Sequence, residues 1–81
     1  MIVYFKDRDG NRRDIGRAND FEDARHIIYS FLRKRGYESL YWRYVQDGPE
    51  VFVDVGSWSE FFYVYTGPDF DVDEYMKNEG R

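Results

Sequence analysis

The sequence predicts a single α+β domain, an antiparallel sheet in the chain order ββαβββ with one main helix packed across one face. Three observations lead there. Residues 19–36 have helical periodicity between clear start and stop signals, alternating stretches flank them on both sides, and Asp-Gly pairs at 9–10 and 47–48 punctuate those stretches. At 81 residues the chain has room for one core and none for a second domain.

Ile2 to Lys6 reads as the first strand and Arg12 to Gly16 as its antiparallel partner. The turn between them, Asp7-Arg8-Asp9-Gly10-Asn11, uses the freedom of glycine to take positive φ. Asn19 is placed to cap the helix, with Glu22 reaching back to it, and Asp20, Glu22 and Asp23 set negative charge at the positive end of the helix dipole. Arg33, Lys34 and Arg35 fill the last turn and Gly36 terminates it, so the helix is expected over Asp20 to Arg35. Phe21, Ala24, Ile28, Phe31 and Leu32 share one face, with Ile27 at its margin, and form the helical half of the predicted core.

Beyond Gly36 the period changes to two. In Ser39 to Gln46, Leu40, Trp42 and Tyr44 oppose Tyr41, Arg43 and Val45. Val51, Val53 and Val55 then alternate with Phe52 and Asp54, and the Asp54 carboxylate argues for valines inward. After the turn Gly56-Ser57-Trp58-Ser59, the last strand runs from Glu60 to Thr66 and sets Phe61, Tyr63 and Tyr65 against Phe62 and Val64. These three strands make a meander. The acidic segment 68–81 either forms a short helix capped at Asp71 and docked through Val72, Tyr75 and Met76, or stays mobile.

Charge divides the chain. Residues 1–45 carry +3 and residues 46–81 carry −7. The negative half contains the most strand-like run, Glu50 to Thr66, so its acids belong to an ordered surface. That surface is also aromatic, in a chain with 21% Phe, Trp and Tyr. An acidic, aromatic surface suits a basic partner, because complementary charge speeds encounter and aromatic rings supply anchors. The expected contact acids are Asp47, Glu50, Asp54, Glu60, Asp69, Asp71, Asp73 and Glu74, and the expected anchors are Trp58, Tyr63 and Tyr65. The competing reading is that the acids keep a Tyr-rich sheet soluble.

Several chemistries are disfavoured. Cysteine is absent and His26 is the sole histidine, pointing away from the apolar face, so neither a zinc nor a copper site is expected. Asp69, Asp71 and Asp73 open like a calcium loop, but Glu74 stands where that loop needs glycine and Gly80 where it needs a bidentate glutamate. No nucleophile, base and oxyanion site come together in the pattern, so no enzyme and no cofactor is expected. The start, Met1 to Asp7, lacks the features of a signal peptide, and no apolar run is long enough to span a bilayer. A cytoplasmic protein without membrane contact is therefore expected. Direct nucleic-acid binding is the alternative function. It would use Arg8, Arg12, Arg13 and Arg17 on the first hairpin with the Tyr41-Trp42-Arg43-Tyr44 run, against the repulsion of a chain with a pI near 4.9.

The ten residues Asp54-Val55-Gly56-Ser57-Trp58-Ser59-Glu60-Phe61-Phe62-Tyr63 resemble a stretch of small proteins carried by bacteriophages and mobile elements. In those proteins one strand ends at Gly-Ser and the next begins with Phe-Phe-Tyr. The group includes inhibitors of host defence, anti-CRISPR proteins among them. The resemblance implies a stoichiometric inhibitor acting in the cytoplasm of a bacterial host, on a basic, nucleic-acid-binding face of a defence protein such as a CRISPR effector. It transfers no functional residue, since a hairpin accounts for the same motif.

Overall fold

Five strands and two helices follow one another as β1 (Ile2–Asp7), β2 (Arg12–Arg17), α1 (Phe21–Lys34), β3 (Arg43–Asp47), β4 (Glu50–Asp54), β5 (Glu60–Tyr65) and α2 (Val72–Glu79). The computed structural model describes residues 1–38, 41–57 and 59–79. All strand pairs are antiparallel, and the sheet order is β2-β1-β5-β4-β3. The first hairpin thus joins the meander through β1 and β5, with Val3 opposite Val64 and Phe5 opposite Phe62. A register shift between Val3 and Tyr4 in the β1–β2 pair places Ile15 as an extra residue.

Side-chain alternation decides the two faces. Val3, Phe5, Val51, Val53, Val55, Phe62 and Val64 are buried on one face, where Phe21, Ala24, Ile28 and Leu32 of α1 meet them. The valines do face inward, as Asp54 requires. Val72 of α2 joins this same cluster, with Phe70 and Tyr75 packed around Phe21 at ring separations of 5.1 and 5.2 Å. Both helices therefore cover the same face of the sheet.

Helix α1 starts one residue later than the sequence suggests. Asp20, not Asn19, is the cap: it accepts from the Asp23 N–H at 2.8 Å, while Asp23 Oδ2 accepts from the Asn19 N–H at 3.1 Å. The box is reciprocal but uses Asp23 in place of Glu22, whose side chain is turned toward Arg25 and His26. The other end matches expectation. Gly36 has φ +74°, its N–H donates to the Arg33 carbonyl, and the Tyr37 N–H donates to the Leu32 carbonyl, a Schellman termination.

The third strand is shorter than predicted, since Tyr41 and Trp42 precede it, and Ser39 and Leu40 lie outside the described residues. The C-terminal segment resolves in favour of a docked helix. Asp71 Oδ1 accepts from the N–H groups of Asp73 and Glu74, and Gln46 Oε1 accepts from the Val72 N–H at 2.7 Å.

Candidate functional site

The acids that the sequence singles out fall into three places. Asp47, Glu50 and Asp54 alternate with the buried valines and belong to the open face of the sheet, the one without helices. Glu60 belongs to the opposite face, at the end of α1. It is ion-paired with Arg35 at 2.9 Å and accepts from the hydroxyls of Ser57 and Ser59. Asp69, Asp71, Asp73 and Glu74 gather at the start of α2.

Several of these carboxylates already have structural partners. Glu50 accepts a hydrogen bond from the Tyr4 hydroxyl. Asp54 pairs with Arg43 at 3.2 Å and accepts from the Gly56 N–H, which holds the β4–β5 turn. Asp71 caps α2. Asp69, Asp73 and Glu74 are exposed, and among the described residues their carboxylates are not engaged in this way.

A feature the sequence reading missed is that the two helix N-termini lie side by side. The Tyr75 hydroxyl donates to Glu22 at 3.2 Å, and the Phe21, Phe70 and Tyr75 rings form one cluster. Asp20, Glu22 and Asp23 stand at the start of α1 and Asp69, Asp71, Asp73 and Glu74 at the start of α2, so the Tyr75–Glu22 bond links two acidic helix starts. Arg25 lies 3.8 Å and the His26 imidazole 3.5 Å from Glu22, and Lys77 lines a shallow pocket with Asp71, Asp73 and Glu74. Two parallel needs, capping and dipole compensation, concentrate acids at helix starts, and the docking of α2 brings the two starts together. The one available signal was the apolar Phe70 and Tyr75 beside those acids, which had to pack somewhere.

Next to this acidic pole a cleft of about 430 Å³ is lined by Glu22, Arg25, His26, Tyr29, Trp42 and Tyr44. Burial pushes the Tyr44 hydroxyl above its ordinary pKa, with Arg25 acting in the opposite direction. Among the described residues no group of three or more His, Asp or Glu side chains converges in a way that could hold a metal ion.

The open face centres on Tyr63. It stacks on Tyr4 at 5.2 Å and 11°, touches Phe52 at 5.4 Å, and has the Lys6 ammonium 5.2 Å from its ring centre. Arg12 lies 3.8 Å over Tyr4 and pairs with Asp14. Tyr65 is exposed on the same face, so two of the three expected anchors share a surface with Asp47, Glu50 and Asp54. Trp58, the third, lies outside the described residues. By register Lys6, Arg12, Arg17 and Arg43 share this face with Asp14, Asp47, Glu50 and Asp54, an equal number of each sign. The arginines of the first hairpin do not act together. Arg12 and Arg17 are on the open face, whereas Arg13, opposite Phe5, is on the other, and Arg8 is in the turn.

Among the described residues no helix is long and apolar enough to cross a membrane. No family model, curated protein or solved structure matches the chain.

Proposed function

We propose that the protein is a non-enzymatic binding protein that holds a basic partner at the acidic pole formed by the two helix N-termini. The observation that carries this reading is the Tyr75–Glu22 contact with its ring cluster, because it joins the acidic starts of two helices from the two halves of the chain. A compact set of like charges raises the local potential and steers a cationic surface toward it. Asp69, Asp73 and Glu74 are the direct contacts, and Asp20 and Asp71 act mainly as caps that order them. The separation of Arg13 from Arg12 and Arg17 supports a basic protein partner over a nucleic acid, since it divides the arginines of the first hairpin between two faces.

The narrower form of the reading is an inhibitor of phage type that fills a nucleic-acid-binding face of a host defence protein, a CRISPR effector being one example. What supports it is the charge geometry together with the resemblance at Asp54 to Tyr63, a segment that forms the β4–β5 hairpin. The test is a pull-down from nuclease-treated bacterial lysate with the wild-type protein and the triple variant Asp69→Asn, Asp73→Asn, Glu74→Gln. Capture of a nucleic-acid-binding protein by the wild type, its release by added DNA and its loss with the variant are expected. Equal capture by both proteins would overturn the assignment to this pole.

A further inference from the structure

The open face of the sheet has its own pattern, independent of the acidic pole. Val45, Phe61 and Tyr65 are 38%, 37% and 44% exposed there, around the half-buried Tyr63. Lys6 lies directly opposite Arg12 in the β1–β2 pair, and Asp47 directly opposite Glu50 in the β3–β4 pair. Like charges facing each other across a strand pair are destabilising within one chain. The two pairs occupy diagonally opposite corners. Lys6 and Arg12 lie at the Phe61 end of the sheet, Asp47 and Glu50 at the Tyr65 end and on the far edge.

We infer that this face binds a second copy of the chain, forming a symmetric dimer. A two-fold axis in the plane of the face, perpendicular to the diagonal that joins the corners, lays each Lys6–Arg12 corner over the Asp47–Glu50 corner of the other copy. Both like-charge pairs are then answered by opposite charge. Tyr63 is close to the axis, with Phe61 and Tyr65 to either side. Because the face is nearly square, that axis makes the strands of the two sheets cross steeply, the orthogonal class of sheet packing. A second copy fits better than a polyanion or a polycation, since the face carries equal numbers of each charge.

The size is adequate. Five strands at about 4.8 Å spacing and five or six residues at about 3.4 Å give a footprint of roughly 400 Å². Side-chain relief takes this past the roughly 500 Å² per partner at which specific interfaces begin.

Sedimentation equilibrium over a concentration series tests the inference, with far-UV circular dichroism confirming that each variant is folded. The 9.9 kDa chain is expected to reach twice that mass. Phe61→Asp with Tyr65→Asp should hold it monomeric. Lys6→Glu and Asp47→Lys should each weaken association about tenfold or more, and the two together should restore it, because the swap exchanges the signs of contacting corners. Three results would each overturn the inference: a monomer up to about 1 mM, a dimer indifferent to the aspartates, or a double charge swap no better than either single one.

Discussion

The Tyr75 hydroxyl donates to the Glu22 carboxylate at 3.2 Å, 53 residues away in sequence, and so ties the first turn of α2 to the first turn of α1. Around this bond Phe21 packs on Phe70 and Tyr75. Tyr75→Phe removes the hydrogen bond and keeps the ring. The global loss should be small, about 0.5–1 kcal/mol for an exposed bond. Hydrogen exchange should nonetheless quicken in α2 before it does in β5, the central strand of the sheet.

Which residue caps α1 can be decided by a pair of substitutions. Asp20→Ala removes the side chain that accepts from the Asp23 N–H and should cost about 1 kcal/mol. In a domain of this size that lowers the melting temperature by about 4–8 °C. Asn19→Ala should leave it nearly unchanged, because Asn19 contributes only its backbone N–H to the box.

Phe62 is one of the largest fully buried side chains of the core. Fully buried between Phe5 and Phe31, at ring separations of 5.9 and 5.7 Å, it links β5 to both β1 and α1. Phe62→Ala should destabilise by about 3–5 kcal/mol, a large part of the roughly 5–15 kcal/mol typical of a whole domain. Denaturant titration should show an early midpoint, and exposed Phe61→Ala should shift it far less.

Alkaline pH should weaken the fold through Tyr4. Burial, followed by the hydrogen bond to Glu50 and its negative charge, pushes the Tyr4 hydroxyl well above its ordinary value. A tyrosine with a raised folded-state pKa stabilises the protein fully below about pH 10, the unfolded value, and loses that contribution as pH rises through the folded one. Ultraviolet titration should therefore show Tyr4 ionising late, at or near unfolding. Tyr4→Phe should flatten the decline in stability above about pH 10.

Local signals were well represented in the sequence. The presence of α1, its Gly36 termination and the inward valines all follow from periodicity and from residues whose backbone preferences are strong. The cap was misplaced by one residue because Asn19 and Asp20 are both good caps and Glu22 and Asp23 both good partners, so only the geometry chooses. The grouping of acids was harder to see. It depends on the packing of Phe70 and Tyr75 against Phe21, a long-range contact that has no periodic trace. The division of Glu60 from Asp54 was legible in principle, since Glu60 shares its parity, and so its face, with the buried Phe62 and Val64, whereas Asp54 alternates with the buried Val53 and Val55.

Recognition of a basic surface by the acidic pole must depend on salt, because it acts through screened charge. For the partner captured from lysate, the affinities of wild type and of the Asp69→Asn, Asp73→Asn, Glu74→Gln variant should be measured across a range of ionic strength. Wild-type affinity should fall steeply with salt, as screening shortens the reach of the charges to about 8 Å at physiological strength. The variant should bind more weakly at low salt and with a shallower dependence. Equal affinities and equal salt slopes for the two proteins would contradict recognition by this pole.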